Sequence, residues 1–241
     1  MDVEALQAEL AELRPDPEYV RSLLREAGGV VPPPMRREVW ALLLGVRKRD
    51  VFSLDDKIKS AAEDLENQRV IVADARRTRA HTDEFRSDEM QTLLVKLLTF
   101  YCKSNSLRYK QGMNEVVAPF VHVFRRVGEN TAEEDTPDVF NALSAFIARF
   151  MPHIYSDDSF TSLQCGFMLF RQLLRYVDPE LSAHLDASGI IPELYAGGWF
   201  MTLFAHSFPM DELLAVWDYY IVANDAQLHT WCALLVLTSH R

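Results

Sequence analysis

Apolar residues recur along this chain at three- and four-residue intervals, the period of one face of a helix. Val3, Leu6, Leu10 and Leu13 mark a first helix, which Pro15 and Pro17 should stop. Gly28-Gly29 and Pro32-Pro33-Pro34 form a rigid break before Arg36–Gly45. A charged helix is expected from Asp55 to Val72, and Met90, Leu93, Leu94, Leu97, Leu98 and Tyr101 mark one strongly apolar helical stripe. Further helices are expected over residues 115–127, 138–150, 159–177, 194–206, 210–223 and 227–238. Pro137, Pro152, Pro179, Pro192 and Pro209 fall at or near their boundaries, as the missing N–H of proline requires. Pro119 lies inside the apolar run Val116–Phe124 and predicts a kink or a late helix start, while the acidic stretch Gly128–Asp138 reads as an exposed loop. No period-two run sits between hairpin residues, and no repeat period is visible, which argues against a solenoid. The expected fold is all-α: one multi-helix domain without a sheet.

Composition narrows the function. Hydrophobic residues at 49% and charged residues at 25% are the ordinary globular mixture. The net charge of −10 argues against a general nucleic-acid or anionic-membrane surface. The excess is uneven: residues 1–120 carry 19 Lys and Arg against 20 Asp and Glu, and residues 121–241 carry 6 against 15. A site for a phosphate-bearing ligand therefore belongs in the first half. Cys102, Cys165 and Cys232 are odd in number and far apart, so a disulfide framework is not expected. The acidic amino terminus is not a leader peptide, and no apolar run approaches the ~18 residues of a membrane span. A cytoplasmic protein is the expectation.

Three short motifs carry candidate chemistry. In Ile71-x-x-Asp74-x-x-Arg77 the named residues share one helical face, so Ile71 can anchor it while Asp74 pairs with Arg77. A guanidinium suits phosphate because its planar fork is permanently charged and bidentate. A solvated basic patch is the competing reading, since Arg76 and Arg79 flank Arg77. Tyr109-x-Gln111-Gly112, followed by Met113-Asn114, lies between a polar break and an apolar helix. Gly112 there permits positive φ or close backbone approach, and Asn114 can bond the loop backbone or cap the helix. Arg36-x-x-x-Trp40 places a cation one helical turn from an indole, which fits a cation–π or packing pair, with an acidic partner for Arg36 sought in the first half. His122, His153, His206 and His229 lie in apolar stretches and read as hydrogen-bonded core or cap residues. The aromatic cluster Trp199–Phe208 reads as one buried helical face. No P-loop, zinc-ligand spacing or serine-nucleophile elbow is present in the sequence.

In this order the three motifs are similar to the signature motifs of TBC-domain Rab GTPase-activating proteins. The likeness continues through Gly189–Tyr195, Trp199–Phe204, Phe208-Pro209-Met210 and Val216-Trp217-Asp218, covering the chain from Gly29 onward. It divides the chain into an N-terminal helical extension, residues 1–28, and a TBC domain, residues 29–241, with further helical sequence expected after Arg241. One departure is Ala223-Asn224-Asp225-Ala226, which lacks a glycine that the family often carries.

The resemblance implies an all-α protein that is not an enzyme in its own right but lends two side chains to a GTP-bound Rab-family GTPase. Arg77 would be the arginine finger, neutralising charge on the phosphates, and Gln111 the glutamine finger, orienting the attacking water. Such help is typically worth ~10³–10⁵ in rate. Asp74 would orient Arg77; Tyr109, Gly112 and Asn114 would shape the Gln111 loop, with Arg36 and Trp40 buttressing from behind. GTP and magnesium would belong to the partner. A monomer recruited to endomembranes in vesicle trafficking, without inserting into them, completes the expectation. The alternative is a catalytically silent TBC scaffold that binds a GTPase or a trafficking complex.

Overall fold

The computed structural model describes residues 2–46, 51–125 and 135–239, with the side chains of residues 51–53 outside the description. Among these residues there are thirteen α-helices and no strand. Helix α1 (Val3–Leu10) is capped by Asp2, which accepts from Ala5 N at 3.0 Å. It ends earlier than its apolar period suggests, and Leu13 is exposed. The carboxylate of Glu9 receives Asp16 N at 2.6 Å, turning the chain into α2 (Pro17–Glu26). Pro17 therefore begins a helix rather than merely stopping one, with Asp16 as the N-cap. Helix α3 (Arg36–Leu44) runs up to Gly45, whose φ of 72° makes the left-handed cap.

The single charged helix expected over residues 55–72 is two: α4 (Val51–Lys59) and α5 (Gln68–Arg77). Both pack on α6 (Asp88–Ser104), and side chains of α6 hold the link between them. Lys96 Nζ donates to Ala61 O at 3.3 Å, and Thr99 Oγ1 accepts from Gln68 Nε2 at 2.9 Å. Helix α6 itself is as its apolar stripe predicts, with Ser87 capping it and Asp88 and Glu89 in its first turn, where carboxylates favour the helix dipole.

Helix α7 (Met113–Phe124) starts well before Pro119, so the late start is overturned, and the buried Pro119 sits within the helix. The end of the expected 115–127 helix and most of the expected 128–138 loop lie outside the described residues. The described part of that loop is corrected, because α8 (Thr136–Phe150) takes up Thr136 to Asp138.

Trp40, Phe120, Phe146 and Trp217 join α3, α7, α8 and α12 at the core: Phe146 stacks on Trp217 at 4.4 Å, and Trp40 meets Phe120 edge-on at 5.7 Å. The second half continues with α9 (Thr161–Val177), α10 (Pro179–Ala187), α11 (Pro192–Thr202), α12 (Met210–Ala223) and α13 (Leu228–Ser239). Helix α10 was not anticipated. Asp178 caps it by accepting Leu181 N at 3.0 Å.

The expected 194–206 helix stops at Thr202, because Leu203 and Phe204 turn left-handed, φ 46° and 67°. The aromatic cluster is consequently a corner, not one helical face, with Phe204 stacked between Trp199 and Phe208. Asn224 ends α12 at φ 58°, doing the work of the absent glycine. No helix among the described residues is long and apolar enough to cross a membrane.

Candidate functional site

Helix α5 presents Arg77 at its C-terminal end. Ile71, Asp74 and Ala75 are buried, whereas Arg77 keeps 57% of its side chain exposed. Asp74 Oδ1 holds Arg77 Nη2 at 2.7 Å, as the three-residue spacing predicts. The other oxygen of Asp74 accepts the Tyr109 hydroxyl at 2.7 Å. One buried carboxylate thus joins the helix carrying Arg77 to the loop carrying Gln111.

The loop is fixed from several sides. Tyr109 O accepts from Asn67 Nδ2 at 2.8 Å, pinning the loop to the start of α5. Asn114 Oδ1 accepts Gly112 N at 3.2 Å and lies 3.2 Å from the Tyr109 hydroxyl. Its amide nitrogen donates to Thr78 Oγ1 at 2.9 Å, which in turn donates to Asp74 O at 2.8 Å. Asn114 therefore stitches α7 to the end of α5 rather than capping its own helix. Lys110 Nζ donates to Asp157 O at 2.6 Å and lies over the Phe160 ring at 4.6 Å.

Gly112 has φ 103°, a conformation that strains any residue with a Cβ, and a Cβ there would meet Thr202 Cγ2 at 3.0 Å. Between the buried Lys110 and Met113, Gln111 is exposed.

The electrostatics agree with this proximity. Burial pushes the Glu115 carboxyl up, and Arg79, His206 and Arg77 oppose that shift. Burial and the bond to Asp74 raise the Tyr109 hydroxyl far above its ordinary range, so it stays a protonated donor. An exposed cation and an exposed amide thus lie on either side of a buried hydrogen-bonded network, and a guanidinium so placed is free to pair with an anion. Among the described residues no group of three His, Cys, Asp or Glu could hold a metal ion.

The structure joins Arg77, Asp74, Tyr109, Asn114 and Gly112 by direct bonds, with Gln111 exposed beside Gly112 in the chain, and sets Arg36 and Trp40 apart. Arg36 has its acidic partner in the second half, not the first: Asp218, with Nε at 3.0 Å and Nη2 at 3.0 Å. Trp40 Nε1 donates to the same carboxylate at 2.7 Å, so the two residues are linked through Asp218. Their tie to the site is indirect, through Trp40 packing on Phe120 of α7.

Arg79 corrects the basic-patch reading. It is buried, donating from Nη1 to Phe208 O at 2.8 Å and from Nη2 to Ala205 O. Of the four histidines, His229 is half-buried with Nδ1 2.8 Å from Ala226 O; His122, His153 and His206 are exposed rather than core, with His122 Nδ1 2.6 Å from Glu84 Oε2. Sequence reasoning missed Arg79, Glu115, Thr202 and Asp218 as supports. A charged residue next to an apolar helix start was the available signal for Glu115 alone.

The domain is all-helical, with Arg77 and Gln111 both exposed beside one buried hydrogen-bonded network, and comparison with known proteins names the family. The Rab-GTPase-TBC domain model matches residues 33–241. The mouse and human TBC domain-containing protein kinase-like proteins are each 30% identical over 220 residues, 89% of this chain and 23% of theirs. Cell division control protein 16 of Schizosaccharomyces pombe is 26% identical over 83% of this chain and 62% of its own. Among solved structures, the Ypt/Rab-GAP domain of Gyp1p superposes with a TM-score of 0.86 at 17% identity, over 98% of this chain and 84% of that one. The chain belongs to the Rab-GTPase-TBC domain family, and it spans about a quarter of the length of the kinase-like relatives.

Proposed function

We propose that this chain accelerates GTP hydrolysis by a Rab-family GTPase, with Arg77 and Gln111 inserted in trans beside the partner's nucleotide. Arg77 neutralises charge as the γ-phosphoryl group leaves, and Gln111 orients the attacking water. The nucleotide and its magnesium come with the partner, and the chain contributes no cofactor. The observation that carries this reading is the Asp74–Tyr109 bond at 2.7 Å, because it joins the supports of two exposed side chains whose pairing has this use.

The test is phosphate release from a panel of GTP-loaded Rab GTPases, with wild type, Arg77→Ala and Gln111→Ala. Loss of stimulation by ~10³-fold or more on either change, with fold and Rab binding retained, is the expected result. Stimulation of no Rab by the wild type, together with binding indifferent to both changes, would instead establish a silent scaffold. The site of action on endomembranes follows from whichever Rab responds.

A further inference from the structure

Arg77 and Gln111 belong to the first half of the chain, yet a close neighbour of each, Arg79 and Gly112, meets one corner of the second half. The corner is the turn between α11 and α12, where Leu203 and Phe204 hold positive φ of 46° and 67°. Such values are costly for residues with a Cβ and persist only where surrounding contacts hold them. Thr202 organises the turn: its hydroxyl donates to Gly198 O at 2.7 Å and accepts His206 N at 3.1 Å. Its methyl group faces the backbone of Gly112, next to Gln111, so closely that a Cβ there would lie 3.0 Å from it.

From the other side comes Arg79, two residues beyond Arg77. Its own backbone is left-handed, φ 46°, and its side chain is only 6% exposed. The guanidinium spans the corner by donating to the carbonyls of Ala205 and Phe208. Its Nε lies 3.5 Å from Glu115 Oε2, an ion-pair distance rather than a good hydrogen bond. Glu115 is in the first turn of α7, directly after Asn114. Burying a cation this deeply is unfavourable unless its partners are fixed, so Arg79 marks a rigid joint.

We propose that Arg79 is a positioning residue: it ties the end of α5 to the Thr202–Phe208 corner, and that corner, through Thr202 against Gly112, fixes Gln111 relative to Arg77. The inference rests on the finger reading for its consequence in catalysis, though not for the coupling itself. Near-attack geometry makes the consequence large, since a misplacement of about 1 Å can cost about 10²-fold in rate.

The experiment has two independent readouts. In the free protein, backbone hydrogen exchange is measured at residues 109–113 and 205–208 in wild type, Arg79→Ala, Arg79→Lys and Thr202→Ser. The serine variant keeps the hydroxyl and removes only the methyl that meets Gly112. With the panel of GTP-loaded Rab GTPases, kcat and KM of the stimulated reaction are measured for the same proteins, for Arg77→Ala, and for Arg77→Ala with Arg79→Ala.

The expected result is faster exchange in both segments for Arg79→Ala, and in residues 109–113 for Thr202→Ser. The kcat of Arg79→Ala falls by about 10- to 100-fold with KM little changed, Arg79→Lys recovers part of it, and the double variant is no worse than Arg77→Ala. Unchanged exchange at residues 109–113 in both Arg79→Ala and Thr202→Ser overturns the coupling. Faster exchange with an unaltered kcat overturns the positioning role. If Arg77→Ala keeps full stimulation, the finger reading has failed instead, and the exchange measurement still decides whether the corner controls the loop. Should Arg79→Ala not fold, Arg79→Lys and Thr202→Ser decide by the same criteria.

Discussion

Asp218 offers the sharpest test of how the two halves of the domain are held together. Its carboxylate has no exposed surface and accepts from Arg36 Nε and Nη2, each at 3.0 Å, from Trp40 Nε1 at 2.7 Å and from Val31 N at 3.1 Å. Asp218→Ala leaves the buried Arg36 without a counter-charge, which costs about 3–5 kcal/mol. The Trp40 and Val31 N–H groups lose their acceptor as well, each worth about 1–3 kcal/mol where water cannot replace it. Relaxation and entering water offset part of this, so a net loss of about 4–6 kcal/mol is expected.

That is a large fraction of the ~5–15 kcal/mol that stabilises a domain. At about 2–4 °C per kcal/mol for a chain of this length, Tm should fall by about 10 °C or more. Asp218→Asn keeps the shape and one acceptor oxygen but turns an NH₂ toward donors, and should lose about 3 kcal/mol. Arg36→Met added to Asp218→Asn should recover part of that loss, because the unpaired cation is gone. Thermal and urea unfolding followed by circular dichroism give these values. An Asp218→Ala protein melting within about 2 °C of wild type, against the roughly 10 °C expected, would refute the argument that this cluster clasps α3 to α12.

Tyr109→Phe removes the donor to Asp74 and should cost about 1–3 kcal/mol in urea unfolding while lowering Rab stimulation more than Rab binding; equal stimulation would separate the network from the activity. Gly112→Ala forces a Cβ into φ 103° and against Thr202, so a loss of about 1–3 kcal/mol is expected, and a neutral effect on Tm would mean that the loop can relax. His229 is held below its ordinary pKa of 6.5 by burial, so the folded state favours the neutral ring. Its contribution to stability is therefore present above pH 6.5 and lost as the pH falls toward the folded value. The stability difference between wild type and His229→Gln should shrink on going from about pH 7.5 to about pH 5.5; a constant difference would show that His229 does not titrate with unfolding.

The stripe on α6 and the proline-bounded helices of the second half were legible because burial there repeats with the helical period and proline punctuates it. Asp74, Arg77 and Tyr109 were legible as a group only because short spacings, and a family resemblance, placed them together. What escaped depended on distant partners. Arg79 reads as one more surface cation until Ala205 and Phe208 close over it. The acidic partner of Arg36 lies 182 residues away, beyond any local rule. The break between α4 and α5 has no glycine or proline to announce it, because packing of both helices on α6 sets it. Helix α10 is different: Asp178-Pro179 is a proper N-cap and first-turn pair, a local start signal that the expected helix boundaries leave unused.

Residues 17–26 acquire an unexpected standing from the arginines of α2. Arg21 donates to the carbonyls of Ile221 and Val222, and Arg25 to that of Ala223, so the last three carbonyls of α12 all receive guanidinium donors from one short helix. Cations are favoured at that end of a helix, where carbonyls otherwise lack partners. The family model opens only at residue 33, and taken by itself it would draw the edge of the folding unit there. Bonding draws it earlier: a polypeptide trimmed to that edge would uncap the very helix that holds Asp218.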